Sequence, residues 1–129
     1  MNTRVLIADD DYDNRTIAQE VLKKAGYQTI VATNGEEALS LALHEKPDLI
    51  LLDLSMPKIS GWDVAKHLRA DPHFKQVPII AFTAHAMNGD AAKAMAVGCD
   101  GYLSKPCSPR EIVAKVGLLL KTEDPSWKR

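Results

Sequence analysis

Cysteine is scarce in this chain: Cys99 and Cys107 are the only two among 129 residues. Two thiols are too few for a disulfide framework, and too few for a zinc site unless histidines join them. Both are read as reduced, packed thiols of a cytoplasmic protein. Aromatic residues are also sparse, at 5% against 46% hydrophobic overall. Aliphatics and alanine must therefore build the core, as suits the small helix–sheet contacts of an α/β protein. No apolar segment approaches the roughly 20 residues that a membrane span needs. After Met1-Asn2-Thr3-Arg4 the chain enters an apolar strand at once, without a signal-peptide pattern. Formal charge is −1 and the basic residues form no run, so the basic stripe expected of a nucleic-acid binder is missing. No internal repeat, low-complexity linker or second domain is visible, and the length is that of one domain with its own core.

What is present is organised around Leu49-Ile50-Leu51-Leu52-Asp53-Leu54-Ser55-Met56-Pro57. A run apolar at every position is the pattern of a strand covered on both faces. Pro47-Asp48 and Pro57 punctuate it. Arg4–Ala8 and Gln28–Ala32 read as strands before it. Val77–Phe82, ending at Thr83, and a short Asp100–Ser104 read as strands after it. Helices alternate with them. The first is capped by Asp13 or Asn14, buries Ile17, Val21, Leu22 and Ala25, and ends with Gly26 at C′. Glu36–His44 is the second. The third, Gly61–Ala70, turns Val64, Ala65 and Leu68 inward and is closed by Asp71-Pro72. An alanine-rich helix begins at Asn88-Gly89-Asp90 and stops at Gly98. The last is capped by Ser108 and runs to about Lys121, with Ile112, Val113, Val116 and Leu120 on its apolar stripe. Strict alternation implies a parallel sheet with right-handed crossovers. Residues 1–121 are expected to form the domain and 122–129 a short polar tail containing Trp127.

A parallel sheet brings the carboxyl ends of its strands to one edge, where ligands bind in open α/β folds. The first strand delivers Asp9 and Asp10 there, the third Asp53, the fourth Thr83 and the fifth Lys105. Singly, each has an ordinary structural role: a helix N-terminal acid, a strand-end turn acid, a β-branched strand residue, a solvated loop charge. Together they are chemistry. Neighbouring carboxylates repel and need a cation to offset them. An oxygen-only set open to water suits Mg²⁺, and the lack of Cys or His in it argues against zinc or copper. With Lys105 as ammonium and Thr83 as hydroxyl donor, the set fits a transferring phosphoryl group, Asp53 being the nucleophile.

These residues resemble the receiver domain of bacterial two-component response regulators, single-domain chemotaxis-regulator-like members included. The resemblance runs from about Arg4 to Leu120. It is carried by Asp9-Asp10, by Leu52-Asp53-Leu54-Ser55-Met56-Pro57, by Gly61, by Thr83-Ala84 and by Asp100-Gly101-Tyr102-Leu103-Ser104-Lys105-Pro106. It implies a flavodoxin-like (βα)5 three-layer sandwich with strand order 2-1-3-4-5. It implies that Asp53 accepts a phosphoryl group from a histidine kinase or a histidine phosphotransfer protein. Asp10, Asp53 and the Ser55 carbonyl would ligate Mg²⁺, with Asp9 acting through water. Lys105 would pair with the phosphoryl oxygens, and its bond to Pro106 would be cis. Thr83 would move to the phosphoryl group and Tyr102 turn inward behind it. That movement would remodel the face of the fourth helix, fifth strand and fifth helix, where a downstream target protein docks. The protein would be a monomer or a phosphorylation-dependent dimer, and no conventional enzyme: it catalyses only its own phosphoryl acceptance and dephosphorylation. In this family the positions of Ser55 and His85 tune how long the acyl phosphate lasts. His44, His67 and His73 are read as surface residues.

Other readings meet specific objections. A haloacid-dehalogenase-like phosphatase wants a second acid two residues after its nucleophile, where Ser55 stands. A flavodoxin-like electron carrier must cradle a flavin phosphate in its first loop, and Asp9-Asp10-Asp11 would repel one. A docking module that is never phosphorylated, or a receiver cut from a hybrid histidine kinase, remains an alternative. The intact acids, threonine and lysine favour phosphoryl acceptance, and the polar ending after Lys121 favours a free-standing protein.

Overall fold

The computed structural model describes residues 3–56, 58–83, 90–104 and 108–121, with backbone alone at 90, 91 and 121. Five strands alternate with five helices: β1 Arg4–Ala8, α1 Tyr12–Lys24, β2 Gln28–Ala32, α2 Gly35–Glu45, β3 Leu49–Asp53, α3 Gly61–Arg69, β4 Ile79–Thr83, α4 Asp90–Ala96, β5 Gly101–Ser104 and α5 Pro109–Lys121. A short 3-10 turn at Pro72–Phe74 precedes β4. The sheet is parallel throughout, in the order β2-β1-β3-β4-β5.

Burial follows the two-fold period of the strands, because successive side chains leave a strand on opposite faces. Leu6, Ile50, Leu52, Ile79 and Ala81 pack beneath α2 and α3 with Ala38, Ala42, Val64, Ala65 and Leu68. Val5, Ile7, Leu49, Leu51, Ile80 and Phe82 pack beneath α1 and α5 with Ala18, Leu22, Ile112 and Val116. Every residue of β3 and β4 is buried, which is why the third strand reads as an unbroken apolar run. Alanines supply much of the helix surface against the sheet, letting backbones approach closely in a chain poor in aromatics.

Helix 1 departs from its expected register. Asp11 is the N-cap, accepting from the Asn14 amide, where Asp13 or Asn14 was expected. The buried stripe is Ala18 and Leu22. Ile17 is 47% exposed and Ala25 is the exposed C-cap. Hydrophobicity alone favoured Ile17, but the small Ala18 is what fits against the sheet. Gly26 follows at φ +101°, as its C′ role requires. Elsewhere boundaries move by one or two residues: α2 starts at Gly35 on an Asn34 cap, β4 starts at Ile79, and β5 starts at Gly101. Asp100 is left out of β5 because its carboxylate accepts the Ile79 amide. The Ser108 cap is present as a capping box: Ser108 Oγ accepts the Glu111 amide at 3.2 Å and Glu111 Oε1 accepts the Ser108 amide at 2.9 Å.

Candidate functional site

Register assembles the site. Ala8 pairs with Leu52 across β1 and β3, so the next residues, Asp9 and Asp53, leave the sheet side by side. Asp53 pairs with Phe82 across β3 and β4, which brings Thr83 one step beyond it. Thr83 pairs with Ser104 of β5, the residue before Lys105. Strand ends that are far apart in sequence thereby converge on one edge.

The carboxylates meet. Asp9, Asp10 and Asp53 each offer an oxygen, and the three lie within 4.8 Å of one another. Asp9 and Asp53 are buried, at 1% and 4% exposed, whereas Asp10 faces water. Thr83, 1% exposed, is the other buried polar residue at this edge. The two buried acids are positioned by the main chain. The Asp11 amide donates to Asp9 Oδ1 at 2.9 Å, and the Ser55 amide donates to Asp53 Oδ1 at 3.0 Å. Each is a tight turn in which the residue two further on supplies the donor, so the acid's own loop sets its direction. Asp11 takes no part in the cluster. It is committed to capping α1, so of the three consecutive aspartates only Asp9 and Asp10 join Asp53.

The donor set fits a magnesium ion. Oxygens on opposite sides of one Mg²⁺ lie about 4 Å apart, so three carboxylates within 4.8 Å need little contraction to share one. One exposed acid leaves room for the waters that Mg²⁺ retains. Ser55, exposed, follows directly in the loop after Asp53. Tyr102 is half-buried on β5 against the core beneath α3. Lys105, Pro106, Pro57 and His85 lie outside the described residues. His44, His67 and His73 are exposed, as expected. Cys99 is a buried free thiol, and Cys107 lies outside the described residues.

Three contacts beside the site were not specified by the sequence pattern. Arg15 Nη1 donates to the Asp9 carbonyl at 2.9 Å while its guanidinium lies over the Tyr12 ring, so α1 grips the acidic loop from its first turn. Gly61 sits against the end of β3: its amide donates to the Leu54 carbonyl at 3.1 Å, and a Cβ would fall 2.2 Å from the Asp53 carbonyl oxygen. Lys58 adopts a left-handed φ of 72°, and its exposed ammonium lies 3.7 Å from Glu36 of α2. Neither the seat of Gly61 on the strand end nor the approach of Lys58 to Glu36 is set by a local sequence pattern.

A parallel, doubly wound α/β domain with an acidic cleft beyond its strand ends belongs to the broad class that binds ligands at that edge. More particularly, the chain belongs to the response regulator receiver domain family, whose model matches residues 5–117. It is 42% identical over 113 residues to the polar-differentiation response regulator DivK of Brucella anthropi, covering 87% of this chain and 92% of that protein. Its structure is similar to the chemotaxis response regulator CheY4 of Vibrio cholerae, with a TM-score of 0.87 at 29% identity, covering 92% of this chain and 99% of that one. It is also similar to the receiver domain of a sensor histidine kinase from Pseudomonas aeruginosa, with a TM-score of 0.86 at 28% identity over 93% of this chain and 98% of that one. That receiver holds a magnesium ion coordinated in its active site cleft. The chain is thus a receiver domain of two-component signalling, and among the described residues no helix is long and apolar enough to cross a membrane.

Proposed function

We propose that this receiver works as a phosphoryl-accepting switch, with Asp53 as the acceptor and protein contacts as its output. The observation that carries the reading is the convergence of Asp9, Asp10 and Asp53 within 4.8 Å, two of them buried, at the edge where Thr83 also ends its strand. Burying like charges together is unfavourable unless a cation joins them. A domain that keeps the arrangement is built to hold one.

In this reading Asp10, Asp53 and the Ser55 carbonyl hold Mg²⁺, with Asp9 acting through water. The bound ion supplies positive charge that offsets the phosphoryl oxygens. The donor is the phosphohistidine of a histidine kinase or phosphotransfer protein. An Asp53 oxygen forms a bond to phosphorus as the phosphorus–nitrogen bond breaks, and the departing imidazole takes up a proton. The product is an acyl phosphate on Asp53. Burial of Asp53 excludes bulk water from that bond. Lys105 pairs with the phosphoryl oxygens, and Thr83 contributes its hydroxyl to one of them.

Switching follows from where Thr83 lies. It is register-paired with Ser104, and its strand neighbour Ala81 is paired with Tyr102. Movement of Thr83 toward a phosphoryl oxygen changes the space available to the half-buried Tyr102, a residue that also lines an open cavity of about 400 Å³ with Leu103, Ser104, Lys115 and Leu118. The face formed by α4, β5 and α5 is the proposed docking surface for a downstream target. The reading places the protein in the cytoplasm, free of nucleic acid and membrane. It acts as a monomer or a phosphorylation-dependent dimer whose only catalysis is on itself.

The test is exposure to acetyl phosphate followed by intact mass, with Mg²⁺ and with EDTA. One phosphoryl group gained with Mg²⁺ and none with EDTA supports the reading. No adduct, together with no binding of Mg²⁺ or beryllofluoride, overturns it.

A further inference from the structure

Arg69, the last residue of α3, is held from several directions at once. Its Nε donates to the Gly98 carbonyl at 2.7 Å. Its Nη1 donates to the carbonyls of Val77, at 2.9 Å, and of Phe74. Its Nη2 pairs with the Asp100 carboxylate. One guanidinium thereby joins the end of α3, the 3-10 turn, the lead into β4 and the turn that closes α4. Asp100 is held in turn, since its carboxylate accepts the Ile79 amide at 3.0 Å and its own amide donates to the Ile79 carbonyl at 2.7 Å. The Arg69 side chain is 18% exposed and the Asp100 side chain 46%, so the guanidinium is the shielded partner. An exposed ion pair would contribute little, but a forked, partly desolvated guanidinium with carbonyl and carboxylate partners belongs to the stronger kind.

α4 needs such help. Seven of its residues are described, Asp90–Ala96, and helices in proteins draw most of their stability from packing and not from propensity. Among its described side chains only Ala94 is buried, and Met95 is half exposed. Its C-terminal turn is closed by the Val97, Gly98 and Cys99 amides, which donate to Lys93, Met95 and Ala94. Gly98 within this turn and Asp100 just after it are the residues that Arg69 grips. Gly98 lies at φ +106°, and a Cβ there would fall 2.5 Å from Arg69 Cγ. The arginine is therefore packed directly on the turn as well as bonded to it.

We propose that Arg69 and Asp100 form a latch that pins α4 and its closing turn to the body of the domain, so that these residues open as one local unit when the latch releases. Its existence rests on the fold alone. Its consequence, control over how readily the α4–β5–α5 face rearranges, rests on the function proposed above.

Cys99 is a built-in reporter, because it lies inside the latched turn and is 5% exposed. Burial also pushes its thiol up to about 11, against the nearby Arg69 guanidinium, which acts the other way. While latched, the thiol is both covered and protonated. With Cys107→Ser as background, Cys99 is the only thiol, and its alkylation by N-ethylmaleimide measures opening. Arg69→Met is expected to accelerate labelling about ten- to a hundredfold, the range for losing a charge-assisted partner. Asp100→Asn should give a smaller acceleration. The faster rate should be nearly independent of urea below the unfolding transition, since local opening exposes little surface. Unchanged labelling in both variants, or labelling that rises only with the urea dependence of global unfolding, overturns the latch. Should Arg69→Met fail to fold, Arg69→Lys and Asp100→Asn decide the matter by the same criterion. Acetyl phosphate is run in parallel on the background protein. Failure to accept a phosphoryl group there counts against the function proposed for Asp53 and leaves the labelling result standing.

Discussion

Replacing Gly61 by alanine tests whether α3 is seated on the end of β3 as tightly as the geometry requires. A Cβ at Gly61 would lie 2.2 Å from the Asp53 carbonyl oxygen, 2.6 Å from Leu54 Cα and 2.9 Å from the Asp53 carbonyl carbon. All three are backbone atoms, so no side chain can rotate away. Helix propensity works in the opposite direction, because alanine in place of glycine favours a helix by up to ~1 kcal/mol. Overpacking against fixed neighbours costs about 1–3 kcal/mol and occasionally more, and contacts this close belong at the top of that range. The net loss is about 2 kcal/mol. For a domain of this size that corresponds to a fall in melting temperature on the order of 6–10 °C. Gly117→Ala is the matched control. It lies within α5, where a Cβ would meet only the Tyr27 hydroxyl at 3.9 Å, so propensity should prevail and the variant should be neutral or stabilised by up to ~1 kcal/mol. Thermal melts followed by circular dichroism read both. Because relief at Gly61 must displace the Asp53 carbonyl, Mg²⁺ affinity should also fall in Gly61→Ala and not in Gly117→Ala. A Gly61→Ala protein that melts at or above the parent temperature would refute the reasoning.

The three consecutive aspartates should separate by role: Asp11→Ala should cost ~1 kcal/mol through loss of the α1 cap and leave Mg²⁺ affinity within a few-fold. Asp10→Ala should do the reverse, as read by melts and by Mg²⁺ titration. Cys99 should make stability fall at high pH. Its folded-state value of about 11 lies above the ordinary 9.0, so between those values the native state keeps a proton that the unfolded chain has lost. Stability therefore declines as pH rises through that window, by roughly 3 kcal/mol at ~1.4 kcal/mol per unit. Urea titrations at pH 8 and 11 should show this component in the parent and not in Cys99→Ala. Thr83→Ala should still accept a phosphoryl group, yet beryllofluoride should no longer shift the NMR signals of Tyr102. An undiminished shift would remove Thr83 from the switch.

The sheet was legible because β3 and β4 are covered on both faces, and continuous apolar runs are what such strands require. The site was legible for a related reason. Parallel topology turns residues that follow strands into neighbours, so Asp9, Asp10, Asp53 and Thr83 could be collected by position alone. Helix 1 was harder. Choosing between Ile17 and Ala18 depends on how closely the helix lies on the sheet, and periodicity does not specify that distance. The cap went to Asp11 for a similar reason: three adjacent aspartates have the same local propensity, and only the β1–β3 register, with Ala8 beside Leu52, decides which one remains for the helix. Arg15, Lys58 and Arg69 act through carbonyls or partners that the fold brings to them. The seat of Gly61 was hidden because a glycine at the start of a helix looks the same in sequence whether or not a strand end lies against it.

The central claim is that Asp53 carries the phosphoryl group, and chemical trapping tests it most directly. After reaction with acetyl phosphate and Mg²⁺, borohydride reduces an acyl phosphate to an alcohol, leaving homoserine at the acceptor position for peptide mass spectrometry to locate. The account predicts homoserine at position 53, none when EDTA is present, and none anywhere in Asp53→Asn. Homoserine at another aspartate, or an adduct that persists in Asp53→Asn, would contradict it.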